Sequence, residues 1–270
     1  MINRGGLVVG VLMPYLEPYY TATQNLDIVK NMRGSKYLQA ELSSVILNCM
    51  RNFKGQILFV GLPCTIRMMK RTFRNKSNIL YVELKCHGVI KKDAFNKYQK
   101  KYLKDASTIS FRDKGRGWRK SVVSYKTTKD SLKHRANSKL IRDFLNNTNL
   151  KGQCIHCKQQ GYGDIILADY WNCPSHLENK KGTSQVITVT TNGQRFFNSL
   201  CNIERKENSL NKVAIMGGAS VNNNGSMILT QNFMDYLSKE IKDIDFTIVG
   251  YKGSPWEARN SYPYFLNSFC

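Results

Sequence analysis

Runs of apolar residues alternate with amphipathic segments along most of this chain, and that alternation predicts an α/β fold. The patterns predict strands at residues 7–13, 56–60, 79–84, 164–170 and 185–191, and helices at residues 39–52, 65–73, 93–103, 140–145 and 195–200, with a turn at Asn192–Gly193. The strand at 56–60 (QILFV) is continuously apolar, as is typical of a parallel sheet covered on both faces. With the following helix and strand it forms a predicted β-α-β unit.

Two short alternating segments differ from this pattern. Residues 108–112 and 120–125 flank the glycine-containing sequence KGRGW at 114–118, which predicts a β-hairpin. The first part of the chain is therefore expected to be a mixed, largely parallel sheet with flanking helices and a hairpin insertion.

The sequence changes character near Ser209. A polar stretch is followed by a predicted strand at 212–216, a loop rich in glycine and asparagine, a helix at about 226–242 and a strand at 246–249. This arrangement predicts an incomplete C-terminal β-α-β unit. We expect one domain at residues 1–205 and a second, partial domain at 206–270.

Composition and charge limit the classes of function. The chain is 41% hydrophobic and 11% aromatic, as in globular proteins, and has a formal net charge of +22. Its lysines are spread along the chain and no nucleic-acid-binding motif occurs, so we expect no dedicated nucleic-acid partner; attraction to an acidic molecule or a membrane surface remains open. No signal peptide or membrane-spanning segment is recognisable, which predicts a cytoplasmic protein.

Four of the eight cysteines form a candidate metal centre. Cys64 and Cys86 follow the two strands of the β-α-β unit, so they are expected at the carboxyl edge of the sheet, where open α/β sheets bind ligands. Cys154 and Cys157 have the C-x-x-C spacing that lets two thiolates bind one centre. Together they suit a 4Fe-4S cluster or a zinc ion, and unrelated thiols are the third interpretation. Cys49 is predicted to pack in the core instead.

Several other residues suit an anionic cofactor. Gly34, Ser35 and Lys36 offer backbone amides, a hydroxyl and a cation for a phosphate. Arg112 and Lys114 lie in the predicted hairpin beside Trp118, a potential stacking surface. His87 follows Cys86, and is either a hydrogen-bonded core histidine or a neighbour of the cofactor, where it is a candidate catalytic residue.

Six motifs occur in one order: RGSKY at 33–37, VGLPCTI at 60–66, CHGV at 86–89, FRDKGRGW at 111–118, CIHC at 154–157 and GDIILADYW at 163–171. Over about residues 5–200 the chain resembles the coenzyme F-420 hydrogenase/dehydrogenase beta-subunit family, chiefly its C-terminal domain. Family members are iron-sulfur flavoproteins that pass electrons between clusters, FAD and a substrate such as the deazaflavin coenzyme.

The resemblance implies roles for particular residues of this chain. Cys64, Cys86, Cys154 and Cys157 would ligate a 4Fe-4S cluster, and Gly34, Ser35, Lys36, Tyr37, His87, Arg112 and Lys114 would lie near FAD, with Trp118 beside them. Many family members begin with a ferredoxin-like module, whereas no cysteine precedes Cys49 here. Electrons are then expected from another protein, such as a ferredoxin, unless the chain is a truncated version.

The tail at about residues 211–250 resembles the start of a polysaccharide pyruvyl transferase, with Gly217–Gly218 in its predicted phosphate-binding loop. The sequence therefore predicts an iron-sulfur flavoprotein oxidoreductase that acts on a small molecule or sugar and is linked to bacterial surface-polysaccharide biosynthesis. The alternative is a non-redox binding or accessory module of a pyruvyl transferase system.

Overall fold

The computed structural model describes residues 1–120, 122–129, 131–135, 138–171, 173, 175 and 178–200, together with the strands at 212–216 and 245–249. By its internal packing the chain divides into a unit of Met1–Asn202 and a unit of Ile203–Cys270. Within the described ranges, no helix is both long and apolar enough to cross a membrane.

The strands and helices are short and alternate through the first unit. The strands are β1 (Leu7–Leu12), β2 (Tyr19–Thr23), β3 (Ile57–Gly61), β4 (Ile79–Leu84), β5 (Ala106–Asp113), β6 (Val122–Thr127), β7 (Leu132–Arg135), β8 (Ile165–Asp169) and β9 (Ser184–Thr188), with β10 (Lys212–Met216) and β11 (Asp245–Val249) in the second unit. The helices are α1 (Leu26–Asn31), α2 (Ser44–Asn52), α3 (Pro63–Thr72), α4 (Lys92–Tyr102), α5 (Lys139–Leu145), α6 (Gly152–Ile155) and α7 (Thr191–Asn198).

A six-stranded sheet in the order β2-β1-β3-β4-β8-β9 forms the centre of the first unit. Strands β1, β3, β4 and β8 run parallel, whereas β2 and β9 are antiparallel edge strands. The mixed, largely parallel sheet with flanking helices was predicted from the sequence and is confirmed. Its central strands are buried: Val9, Ile57 and Phe59 have no exposed surface.

The insertion is a three-stranded antiparallel sheet, β5-β6-β7, rather than a two-stranded hairpin. Phe111 of β5 is 2% exposed and packs in a second hydrophobic cluster with Phe95 of α4 and Phe144 of α5. The third strand was missed because LKHR contains a single apolar residue and so gives no strand periodicity.

Helix α2 corrects the prediction for residues 39–52. The Ser43 side chain accepts a hydrogen bond from the Ile46 amide, so the helix begins at Ser44. Its fully buried residue is Met50, while Cys49 is exposed, so the prediction that Cys49 packs in the core is wrong. The buried face is rotated from the predicted one.

A second correction concerns Asn192–Gly193, which lie in the first turn of α7 rather than in a turn before a helix. Thr190 caps that helix, because its hydroxyl accepts a hydrogen bond from the Gly193 amide at 3.1 Å. A side chain at Gly193 would overlap the Asp164 carbonyl, which explains the glycine.

In the second unit, β10 and β11 form a parallel pair, with Lys212 opposite Asp245. Parallel pairing is what the predicted β-α-β unit requires. The predicted helix at 226–242 and the Gly217–Gly218 loop lie outside the described residues.

Candidate functional site

Cys64 and Cys86 lie at the carboxyl edge of neighbouring parallel strands. Gly61 of β3 is opposite Glu83 of β4. Cys64 is the second residue of α3, and Cys86 comes two residues after β4 ends. Both cysteines are exposed. Because β3 and β4 are parallel neighbours, the two cysteines that follow them lie at the same edge of the sheet.

Backbone hydrogen bonds bring the C-x-x-C segment to Cys86. Ile90 forms an antiparallel bridge with Leu150, and the Lys151 amide donates to the Val89 carbonyl at 2.8 Å. The short helix α6 then carries Cys154 to Gly88, where a Cβ atom would lie 3.2 Å from the Cys154 Cβ. The Cys157 amide donates to the Cys154 carbonyl at 3.3 Å.

The surroundings of the Cys86 thiol raise its pKa. Although Cys86 is exposed as a residue, enough protein surrounds its sulfur for burial to raise the thiol pKa to about 11. A hydrogen bond with the Gly88 backbone lowers this pKa, and the nearby Cys64, Cys154 and Cys157 raise it further. The parallel β3–β4 pair and the contact of Gly88 with Cys154 place Cys64, Cys86 and the C-x-x-C segment at the same edge of the sheet.

This region has the right donors for an iron-sulfur cluster, since four thiolates are the usual ligand set. In the part of the chain that the structure describes, however, no group of three or more His, Cys, Asp or Glu side chains forms a closed metal site. The cysteines fit a cluster by identity and by their shared location, and closure around it would require side-chain adjustment.

Glu83 fixes the loop that follows the C-x-x-C segment. It is 1% exposed, and its carboxylate accepts hydrogen bonds from the amides of Gly161, Tyr162 and Gly163 at 2.7 to 2.9 Å. A side chain at Gly163 would collide with the Glu83 Cβ. Because three amides satisfy it, the buried carboxylate holds this loop against β4.

Tyr37 is the centre of the second candidate cluster. Its ring stacks on Phe144 at 4.5 Å and lies 5.5 Å from the ring of Phe111. Burial raises the Tyr37 pKa, whereas the Arg112 charge and side-chain hydrogen bonds with Ser35 and Arg112 oppose that rise. His87 adjoins this cluster, with its ring 4.9 Å from that of Phe144.

Arg112 and Lys114 share one carboxylate. Arg112 pairs with Asp169 at the end of β8, and the Lys114 ammonium lies 3.9 Å from the same side chain. The Arg112 guanidinium also lies over the ring of Trp171, 5.2 Å from its centroid.

Trp118 and Trp171, the two tryptophans next to Arg112, have different environments. Trp118 is 2% exposed, and its indole N–H donates to Glu178 at 3.1 Å. Trp171 is 56% exposed and lies 4.8 Å from Trp118. The ring accessible for stacking is therefore that of Trp171, to which the sequence patterns assigned no role.

Lys36 is committed to its own loop. Its ammonium donates to the carbonyls of Met32, Arg33 and Gly34 at 2.8 to 3.2 Å, and burial lowers its pKa to about 8. Gly34 has a φ of +93°, a conformation that favours glycine. Lys36 therefore closes the loop, and a phosphate would have to compete with three carbonyls for its charge.

Glu83, Asp169 and Trp171, to which the sequence patterns assigned no role, have only weak signals in the sequence. Glu83 is a lone carboxylate within the apolar strand ILYVEL, and such a residue needs partners when it is buried. Asp169 and Trp171 belong to the GDIILADYW motif, whose order was used without assigning their side chains.

A largely parallel six-stranded sheet with flanking helices defines the first unit as an α/β domain. Residues 54–209 match the profile of a family described as the C terminus of the coenzyme F420 hydrogenase/dehydrogenase beta subunit. This match spans more than half of the chain, and the chain belongs to that family. Hydrogenases and dehydrogenases are oxidoreductases, which gives the class of activity.

A solved structure shares the fold. It is the F420-reducing [NiFe] hydrogenase complex from Methanosarcina barkeri, studied after xenon derivatization. The superposition has a TM-score of 0.50 at 12% sequence identity and covers 73% of this chain and 67% of that chain. No curated protein matches this chain.

Proposed function

We propose that this chain is an electron-transfer oxidoreductase subunit that holds a 4Fe-4S cluster through Cys64, Cys86, Cys154 and Cys157. The observation that supports it most is the backbone geometry: Cys64 and Cys86 follow neighbouring parallel strands, and the C-x-x-C segment packs against Gly88, two residues after Cys86. Family membership supports the same class of activity. A bound cluster would supply one-electron transfer, and the backbone amides around the cysteines would influence its potential.

The proposed place for FAD is the region around Tyr37, Arg112, Lys114 and Trp171. Trp171 offers an exposed ring, and the cations Arg112 and Lys114 lie near it beside Asp169. An anionic group of the cofactor would bind these cations, while Tyr37, which hydrogen-bonds to both Arg112 and Ser35, would orient the guanidinium. His87 follows the proposed cluster ligand Cys86 in sequence, and its ring packs against Phe144. We therefore propose it as the residue that transfers a proton near the flavin.

His87 has one identified contact that bears on this role. Its Nε2 atom lies 3.2 Å from the Phe144 carbonyl oxygen, so that nitrogen carries the proton when the bond forms. The other ring nitrogen, when it also carries a proton, would donate that proton to a substrate as the substrate accepts a hydride. The substrate class proposed is a small organic hydride acceptor, with a sugar intermediate of surface-polysaccharide biosynthesis as the finer expectation from the tail.

A single preparation tests the cofactors. Protein purified without oxygen is expected to show flavin and iron-sulfur absorption, and to contain about four iron atoms and four sulfides per chain. Bleaching of both absorptions by dithionite is expected as electrons enter. A colourless preparation that stays colourless after reconstitution with iron, sulfide and FAD would favour the non-redox binding module instead.

A further inference from the structure

Helix α3 has two faces of different character. Pro63, Ile66, Met69 and the following Phe73 are buried against the sheet. The opposite side begins with the exposed Cys64 and continues with Arg67 and Arg71, three and seven residues later; Arg74 follows two residues after the helix ends. Residues at this spacing share one side of a helix. One of the four cysteines therefore lies in line with a row of arginines.

The row borders a depression of about 480 Å³, which is lined by Arg67, Lys70, Arg71, Arg74 and Tyr162. Lys70 is the only one of these cations paired with a carboxylate among the described residues: it lies 3.6 Å from Asp164. Arg67 lies over the Tyr162 ring, 5.6 Å from its centroid. Met68, beside this row, is 45% exposed. The depression thus combines unneutralised positive charge with apolar contact surface.

We propose that the exposed face of α3 (Arg67, Met68, Lys70 and Arg71), together with the following Arg74 and the adjacent Tyr162, is the docking surface for an acidic electron-carrier protein. The proposal rests on the proposed function, because a carrier is needed only if the cysteines hold a redox centre. Charge complementarity favours an acidic partner, and the methionine and tyrosine provide the apolar contacts of an interface core.

The position of the row explains why docking here would be productive. Arg71 follows Cys64 by seven residues, or about 10 Å along the helix axis. A carrier held over the arginines would bring its own centre close to the cysteine edge. Each encounter would move one electron from the reduced carrier, which is oxidised, to the cysteine-held cluster, which is reduced, without making or breaking a covalent bond.

Binding of a plant-type [2Fe-2S] ferredoxin, an acidic one-electron carrier, tests the proposal. The variant Arg71→Glu/Arg74→Glu reverses two exposed charges and leaves Lys70 and its Asp164 contact in place. Lys97→Glu/Lys100→Glu is the matched control, since both lysines are exposed, three residues apart and on α4. Arg71→Gln/Arg74→Gln serves if charge reversal impairs folding. Calorimetry at about 50 mM and about 200 mM salt measures the dissociation constant.

The wild-type chain is expected to bind ferredoxin about tenfold more weakly at the higher salt concentration. The α3 variant should weaken binding at low salt about 30-fold, and the α4 control less than about threefold. Equal effects in both variants, or no binding by the wild type, would overturn the assignment to α3. Binding to vesicles of anionic lipid that depends on Arg71 and Arg74, with ferredoxin binding unaffected, would assign the surface to a membrane instead.

The iron content separates this proposal from the function on which it rests. If wild-type protein and both variants contain no iron after reconstitution, the cluster assignment fails while the binding data still decide the docking surface. If all contain iron and the α3 variant binds ferredoxin normally, the docking proposal fails and the cluster stands.

Discussion

Gly88 and Cys154 lie against each other, and a Cβ atom on Gly88 would be 3.2 Å from the Cβ of Cys154. The same added atom would lie 3.0 Å from a Leu150 methyl group. Gly88 also has a φ of +143°, which side-chain-bearing residues rarely adopt. The residue therefore allows the C-x-x-C segment to approach the backbone that carries Cys86.

Gly88→Ala is expected to separate these two segments and to lower iron incorporation severalfold. The left-handed backbone adds a stability cost of about 1 to 2 kcal/mol. Iron and sulfide per chain after reconstitution are the measurements. Gly152→Ala is the matched control, because its added Cβ meets no atom within 4 Å. Normal iron content in Gly88→Ala would show that the close approach is not needed for the cluster.

Replacement of the cysteines tests the ligand set one residue at a time. Each of Cys64→Ser, Cys86→Ser, Cys154→Ser and Cys157→Ser is expected to deplete iron, because an alcohol is a much poorer ligand than a thiolate. Cys49→Ser should retain it, since Cys49 lies on α2 away from these segments in sequence and is exposed. Full iron content in any of the four variants would remove that cysteine from the set.

Local patterns predicted the central strands because β3 is continuously apolar, β4 is apolar apart from Glu83, and most of their side chains are buried or half-buried on both faces. They failed at β2, whose sequence YYTAT is short and lies at the sheet edge. They also misplaced the buried face of α2, since Val45 is 72% exposed despite its position in the apolar pattern. Burial there depends on how the helix meets the sheet.

The candidate site was predictable where it depends on strand order and unpredictable where it depends on distant partners. Cys64 and Cys86 follow adjacent parallel strands, so their shared edge follows from the β-α-β pattern. The contacts of Glu83 with Gly161 and Gly163 join residues about 80 positions apart. No local periodicity encodes such a contact, and the buried role of Trp118 depends in the same way on Glu178.

Glu83→Gln is expected to destabilise the protein by about 2 kcal/mol or more. The carboxylate accepts three backbone N–H hydrogen bonds, and the glutamine NH2 group would face some of these N–H donors with another donor. The change in the free energy of unfolding is measured by urea denaturation. Glu17→Gln is the control, as Glu17 is exposed. Equal stability of the two variants would mean that the loop at Gly161–Gly163 does not depend on the carboxylate.

Lys36 gives a prediction about pH. Burial lowers its folded-state pKa to about 8 from an ordinary value of 10.5, so the unfolded chain binds more protons between these values. The stability linked to the lowered Lys36 pKa is fully present above the unfolded-state pKa of 10.5 and is lost as the pH falls through about 8. Relative to Lys36→Met, the wild type should therefore gain stability as the pH rises from about 8 to about 10.5. A stability difference that does not change with pH would contradict the lowered pKa.

The last prediction separates the two tryptophans and the three cations at the proposed flavin site. Trp171→Ala should weaken FAD binding by at least about tenfold, since the mutation removes the exposed ring, whereas Lys36→Met should have little effect because that ammonium is bound to its own loop. Arg112→Ala and Lys114→Ala should weaken binding most at low salt, where charge interactions are least screened. Fluorescence titration with FAD at several salt concentrations measures these affinities.

Trp118→Phe is the matched aromatic control: it keeps a buried ring but loses the N–H bond to Glu178, and should change stability more than affinity. Unchanged affinity in the Trp171, Arg112 and Lys114 variants would place the flavin elsewhere.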